Sequence, residues 1–238
     1  MTDGHREYPL TYPDKPLPSH MDEEEGRILE RLIAQTSIGT SLEVGFAYGI
    51  STLYIFDALK ETGQLSRHIV IDPFQHSQWR GIGLRNVRMA GYEPYIDFFE
   101  SYSELVLPKL LADGVSLDFA LIDGWHTFDQ VLVEFYFINR MLNLGGVIVF
   151  DDADRESVSK VIRYALQYPA YRIMATAEGP RGSLAGKLRR TVGRVRGIDA
   201  ILKPELVRRN WDLGIVGSCA AIQKIAEDQR TSGWFREF

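Results

Sequence analysis

Cysteine is almost absent from this chain: Cys219 is the only one. One thiol excludes an intrachain disulfide, paired CxxC metal sites and cysteine-rich zinc clusters. It fits a reducing compartment, so a cytoplasmic location is the expectation. No apolar run reaches the ~18 residues that a membrane-spanning helix needs. The first residues lack the apolar stretch of a secretory signal. Positive charge is not in excess: the formal net charge is −5, which argues against a general nucleic-acid binder. Histidine is scarce too. His5, His20, His68, His76 and His126 do not fall at spacings that suggest a two-histidine, one-carboxylate iron site. No internal repeat is present. What remains is a globular composition, 45% hydrophobic and 25% charged, over 238 residues. That length suits one large α/β domain or two small ones, with enough chain to bury a full core.

The most informative stretch is Thr40 to Thr52. A short apolar run meets an acid, Glu43, then Gly45 and Gly49, then Ser51-Thr52 opening an apolar helical pattern. This reads as strand, tight turn, helix. The glycines allow a sharp turn and close approach of a ligand to the backbone. Ser51 and Thr52 can bond backbone groups of the first helical turn. Glu43, at the carboxyl end of the strand, can accept hydrogen bonds or face a cation. A dinucleotide turn competes with this reading, but the spacing is not G-x-G-x-x-G, because Ala47 stands where a glycine is expected. An acid there would also repel a pyrophosphate and attract a sulfonium or ammonium. A glycine turn without a ligand is the plainer alternative.

The chain around this stretch alternates strands and helices. Residues 1–20 are polar and carry Pro9, Pro13, Pro16 and Pro18, so an extended segment is expected there. An amphipathic helix follows, with Asp22 as its cap and Ile28, Leu29, Leu32 and Ile33 on one face. A second strand ends at Asp72, 29 residues after Glu43 and one strand–helix–strand unit later. An acid at that place can hold both ribose hydroxyls of a nucleoside, or merely cap the strand. Helices are expected over 79–90 and 103–111, the second capped by Ser103, with a strand over 95–100 between them. A strand over 117–123 ends in Asp123-Gly124-Trp125-His126. Phe128, Val131, Leu132, Phe135, Ile138 and Leu142 then mark a long amphipathic helix closed by Gly145-Gly146. The apolar run Val147 to Phe150 reads as a central strand and ends in Asp151-Asp152. Asp154 is the expected cap of the next helix. Strands over 171–177 and 214–225 close the pattern. Residues 180–210 hold nine basic residues and carry net +7, against −12 for the remainder. A helical insertion is expected there, serving as a solvated flap, a homo-oligomer contact, or a surface for an anionic substrate or an acidic membrane.

The aspartates carry the chemistry. If the strands ending at Asp123 and Asp151 are neighbours, they lie about 4.8 Å apart and three carboxylates converge. Converging negative charge is costly unless neutralised, and a hard divalent cation does that through oxygen ligands. Mg²⁺ is the first choice, with Mn²⁺ or Ca²⁺ open, and Asp123, Asp151 and Asp152 are the candidate ligands. Such a cation would hold a substrate hydroxyl and lower its pKa. His126, expected on the first turn of the following helix, can take that hydroxyl proton, as can Asp123; a plain backbone contact is the other role for the histidine.

The acid-x-Gly-x-x-x-Gly pattern of Glu43 to Gly49 resembles the first motif of the class I S-adenosylmethionine-dependent methyltransferases. The phrases Ile122 to Phe128 and Val149 to Asp152 resemble, more narrowly, the metal-dependent small-molecule O-methyltransferases, closest to the branch with the sugar O-methyltransferases. The likeness spans roughly residues 38 to 175. It implies a Rossmann-like, doubly wound α/β fold with a mainly parallel seven-stranded sheet, in the order 3-2-1-4-5-7-6. It also implies a single domain over 21–238. S-adenosyl-L-methionine would be held by Glu43, Gly45, Gly49 and Ser51 on its methionine half, Asp72 at the ribose, and the loop with Ser103 near the adenine. The family often has an Asp-Ser pair in that last loop, where this chain has Tyr102-Ser103. It further implies Mg²⁺ at the strand-end acids, a histidine base placed like His126, and a small-molecule hydroxyl as acceptor. The alternatives are a non-catalytic nucleoside-binding protein of the same fold, or a hydroxylase on that scaffold.

Overall fold

A computed structural model describes residues 21, 23–176, 210, 215 and 217–234. The extended segment expected at 1–20 and nearly all of the basic insertion expected at 180–210 lie outside the described residues. The sheet is built outward from β1, Thr40–Val44, the strand of the glycine turn. It pairs in parallel with β2, Arg67–Ile71, on one side and with β4, Leu117–Ile122, on the other. The third strand, β3, Ile96–Phe99, extends the β2 edge in parallel, and β5, Leu142–Phe150, extends the β4 edge. Two antiparallel strands finish the sheet: β7, Ala220–Lys224, beside β5, and β6, Tyr171–Thr176, beyond it. The order is 3-2-1-4-5-7-6, as the resemblance implies. Parallel strands need crossovers, and among the described residues six α-helices supply or flank them. These are α1, Glu23–Ala34, α2, Ile50–Glu61, α3, Ile82–Met89, α4, Ser103–Ala112, α5, Phe128–Met141, and α6, Glu156–Leu166. No helix among the described residues is long and apolar enough to cross a membrane.

Alternation along each strand divides the core into two layers. Leu42, Val44, Ile69, Ile71, Ile148 and Phe150 face one side, where Phe135 of α5 packs among Phe150, Tyr168 and Tyr171 at centroid distances of 5.7–6.4 Å. Val70, Phe119, Leu121, Val147 and Val149 face the other, beneath α1 and α2. Each large apolar side chain buried this way is worth about 1.5–3 kcal/mol. On that second face β1 contributes Ser41 and Glu43, both buried, instead of apolar groups. Their partner comes from β2: His68 Nδ1 lies 2.8 Å from Ser41 Oγ and Nε2 lies 3.1 Å from Glu43. A polar seam therefore runs under α2.

Several expected boundaries move for local reasons. Gly145-Gly146 does not end α5. The helix stops at Met141, where Lys224 of β7 donates to the carbonyls of Asn139 and Leu142. Gly145 (φ +84°) instead lies in the irregular start of β5, where the pairing with β4 shifts register. The third helix begins at Ile82, after turns that occupy Trp79 to Gly81. Tyr102, not Ser103, is the cap position of α4, and Arg155, not Asp154, caps α6; neither side chain makes a capping bond.

Candidate active site

The carboxyl ends of β1, β2 and β4 open into a cavity of about 700 Å³, and the glycine turn forms one wall. Gly45 (φ +89°) donates its N–H to the Ile71 carbonyl at 2.9 Å, and a Cβ there would stand 2.0 Å from the Asp123 carbonyl oxygen. Only glycine fits both the backbone angle and the space. Asp72, almost fully buried, accepts from the N–H groups of Phe46 at 3.1 Å, Ala47 at 2.8 Å and Phe74 at 2.7 Å. The β2 acid thus fixes the turn after β1, and Gly45 and Asp72 both line the cavity.

Three residues expected at a ligand are placed elsewhere. Glu43 is fully buried, and Ser51 and Thr52 donate their hydroxyls to its two carboxylate oxygens. The two hydroxyls bond Glu43 rather than the backbone, which corrects the expectation for Ser51 and Thr52; of the two roles open to Glu43, accepting hydrogen bonds is the one the structure shows. The positive end of the helix dipole favours that charge. Gly49 (φ +74°) packs against Phe46 and Gly83. Glu43, Gly49 and Ser51 do not line the cavity.

The acidic phrases meet as the sheet requires. Asp123 N–H donates to Val44 O at 2.8 Å and Asp151 N–H to Ile122 O at 3.0 Å, so the ends of β1, β4 and β5 are in line. Ligating atoms of Asp123, His126 and Asp151 all lie within 4.8 Å of one another. The expected trio had Asp152 in place of His126. The structure instead aims Asp152 at Arg155 Nε, 2.8 Å away, and at His126 Nδ1, 3.3 Å away. His126 is also not on a helix: it sits in the loop before α5 with φ +56°, its carbonyl accepting from Ser157 Oγ at 2.7 Å. Asp152 shares the left-handed conformation (φ +50°). Such backbone costs about 1 kcal/mol or more per residue and concentrates at functional sites.

Electrostatics mark the same cluster. Burial pushes the Asp151 carboxyl up to about 9, and the Asp123 charge adds to the shift. Burial pushes Asp123 up to about 8, with Glu43 and Asp152 adding to it and the Asp151 hydrogen bond opposing it. The Asp123 side chain keeps 28% of its surface, so solvent tempers that shift; the upward direction stands for the pair. His126 Nε2 and Asp151 Oδ1 are buried without a hydrogen-bond partner, although Nε2 stands only 3.3 Å from Asp123 Oδ1. The Asp123 and Asp151 carboxylates offer the oxygen ligands a divalent cation would take, and the unpartnered Nε2 beside them keeps its lone pair for a proton.

The cavity is also lined by Tyr102 and Ser103 of the loop expected near the adenine, together with Phe74 and Glu134, which motif reading did not single out. Phe74 stands edge-on to Tyr102 and tilted against Trp125, with centroids 6.0 and 5.8 Å apart. Beyond them Ser103 Oγ donates to Glu134 Oε1 at 2.8 Å. Burial pushes the Glu134 carboxyl up to about 7, and its Oε2 has no partner. A signal for it was present: Glu134 falls on the buried side of α5, between Val131, Phe135 and Ile138. His76, by contrast, is exposed and pairs with Glu100 at 2.6 Å.

Comparison with known proteins is consistent with this geometry. Residues 42–153 match a family model described as a methyltransferase domain. A flavonoid 3',5'-methyltransferase of Vitis vinifera is 28% identical over 136 residues, covering 54% of this chain and 53% of the relative. A caffeoyl-CoA O-methyltransferase of Populus kitakamiensis is 30% identical over a stretch with the same coverage. The chain thus spans about half the length of the curated relatives it matches. Among solved structures, the O-methyltransferase from Bacillus cereus in complex with SAH superposes with a TM-score of 0.55 at 18% identity, over 66% of this chain and 76% of that one. TomG from Streptomyces achromogenes, an O-methyltransferase in complex with SAM, gives 0.56 at 18% identity, over 66% and 75%.

Proposed function

We propose that this chain, which has the Rossmann-like fold of the class I methyltransferases, transfers the methyl group of S-adenosylmethionine to a hydroxyl of a small molecule. The observation that carries the reading is the meeting of two features in one cavity. The glycine turn and Asp72 wall one side, and the Asp123–His126 edge of the acidic cluster lines another. Similar proteins named as a flavonoid 3',5'-methyltransferase and a caffeoyl-CoA O-methyltransferase support that acceptor class.

Transfer is a direct displacement: the acceptor oxygen bonds to the methyl carbon as the carbon–sulfur bond breaks. The protein's task is alignment, charge and proton removal. Asp123 and Asp151 would hold a divalent cation, Mg²⁺ first among them, and that cation would fix the hydroxyl and lower its pKa. Asp152, facing Nδ1, orients the imidazole and favours the tautomer that leaves Nε2 free. His126 Nε2, buried and unpartnered, is then the atom that receives the hydroxyl proton. The hydroxylase alternative loses ground, because the cluster among the described residues has one histidine and two carboxylates rather than the reverse.

Calorimetry with S-adenosylmethionine, with and without Mg²⁺, tests the reading. Binding is expected in both cases, and no binding at all would overturn it. His126→Ala is expected to lower kcat by about 10²–10⁴-fold, the usual loss of a general base. Its cofactor affinity should stay within about two-fold, because the imidazole acts on the acceptor alone. Binding without methyl transfer to any hydroxyl acceptor would leave the nucleoside-binding alternative standing.

A further inference from the structure

The glycine turn is held from a side that its own stretch of sequence does not reach. Ala47 takes a left-handed backbone (φ +45°), a conformation that glycine adopts freely and alanine does not. Both polar backbone groups of this residue are engaged by the segment after β2. Its N–H donates to Asp72 at 2.8 Å, and its carbonyl accepts from Gln75 Nε2 at 2.9 Å. Gln75 is 0% exposed, and its Oε1 accepts from the Gly83 N–H, in the first turn of α3, at 3.1 Å. One amide therefore joins the turn to the start of α3, with its donor and acceptor ends both used. The next carbonyl is held in the same manner: Asn86 of α3, also buried, donates Nδ2 to Tyr48 O at 3.0 Å. Beside these bonds Tyr48, Ile50 and Ile82 form a small apolar cluster, with Trp79 edge-on to Tyr48 at 5.1 Å. The contact is so close that a Cβ on Gly83 would stand 2.7 Å from the Ala47 carbonyl oxygen. Phe46 and Ala47 line the cavity, whereas Gln75 and Asn86 stand behind them.

We propose that Gln75 and Asn86 are positioning residues of the cofactor site. They hold the turn at 46–48 in its left-handed form, so that its cavity face is set before a ligand arrives. A trans peptide is planar, so fixing the Ala47 carbonyl on Gln75 also fixes the N–H of Tyr48 on the opposite side. Without the amide that buried carbonyl loses its donor, and the alanine backbone relaxes toward the right-handed region it prefers. The peptide then turns, and with it the wall that the ligand meets. Only molecules with the turn correctly formed bind, so apparent affinity falls by the fraction that is competent. A glycine at position 47 would not relax in this way, because both hands of the backbone suit it about equally. The effect of Gln75 thus depends on which residue stands at 47. That dependence separates positioning from mere filling of the core.

This inference rests on the cofactor reading above, and the test separates the two. Calorimetry on the full chain measures S-adenosylhomocysteine binding well below the melting transition. Gln75→Met keeps the length of the side chain and removes the amide; it is expected to weaken binding by about 10-fold. Ala47→Gly alone should leave affinity within about two-fold, because the clamp holds either residue. Ala47→Gly added to Gln75→Met should bring affinity back to within about three-fold of the unsubstituted protein. Should Gln75→Met fail to melt cooperatively, Asn86→Ala takes its place in the same cycle and tests the second amide. An affinity unchanged by loss of the amide, or a loss that Ala47→Gly does not recover, would overturn the positioning role and leave the cofactor reading intact. No binding of S-adenosylhomocysteine to the unsubstituted protein would sink both.

Discussion

Asp151→Asn is expected to make the metal-free protein more stable and nearly inactive. Asp151 and Asp123 are both pushed upward, Asp151 by burial first and by the Asp123 charge second. A carboxyl whose folded pKa lies above its unfolded value destabilises the fold once deprotonation is favoured in the unfolded chain. The penalty is absent below the unfolded pKa, near 3.8, and grows as pH rises toward the folded value, about 9. Asparagine keeps the size and removes the charge. The gain should be nil near pH 4, about 1–3 kcal/mol at pH 7, and larger at pH 9. For a domain of this length that is about 3–8 °C in Tm at pH 7.

Turnover should move the other way. Asp151 Oδ1 is a buried atom without a partner, so it is held in reserve for something the chain itself does not supply. If that is a divalent cation, losing one of two carboxylates should cut activity by more than about 100-fold, since even an outer partner of a metal ligand costs that much. Affinity for S-adenosylmethionine should survive, because the glycine turn and Asp72 do not touch Asp151. Melting curves at pH 4, 7 and 9, calorimetry and methyl-transfer rates with added Mg²⁺ check the three parts. Full activity of the variant in the presence of a chelator would exclude the metal role. A lower Tm at pH 7 would show that the carboxylates do not repel.

What the sequence made legible follows from what local pattern encodes. The strand–turn–helix at Thr40 to Thr52, the acid one unit later and the apolar run before Asp151 are each contained in a few consecutive residues. Together they imply the parallel sheet and the edge on which a ligand sits. Sequence alone leaves the role of Glu43 open because its partners are distant in part. Ser51 and Thr52 are close by, but His68 comes from the next strand, and only the pairing of β1 with β2 brings it beneath α2. His126 and Asp152 exchanged places for another reason. Each adopts a left-handed backbone that no residue type announces, and that conformation decides which side chain joins Asp123 and Asp151. Glu134 was legible in principle, as an acid at a core-facing helical position. Its meaning needed Ser103, 31 residues away.

Among the described glycines, Gly45→Ala should be the most damaging added methyl group. The added Cβ would stand 2.0 Å from the Asp123 carbonyl oxygen, 2.6 Å from its carbon and 3.1 Å from the Gly124 nitrogen. All three are backbone atoms, so no side chain can rotate aside. Neither strand end can yield cheaply. Gly45 N–H is bonded to Ile71 and Asp123 N–H to Val44, which ties β1 to both neighbours at the point of overlap. The left-handed φ adds about 1 kcal/mol on its own. The clash and the broken ladder bonds bring the expected loss to about 4 kcal/mol or more, the range reserved for a named structural mechanism. Gly63→Ala isolates the first part. Its φ is +70° and a Cβ there meets nothing within 4 Å, so only the backbone preference is lost. The Gly63 variant should melt about 2–4 °C lower and bind S-adenosylmethionine normally. The Gly45 variant should melt at least about 10 °C lower and lose binding, because relief of the clash moves the turn and Asp123 apart and so spoils the cofactor wall and the acidic cluster together. Equal behaviour of the two variants would mean that the β1 and β4 ends are not packed this tightly, and the single-cavity reading of the site would fall with them.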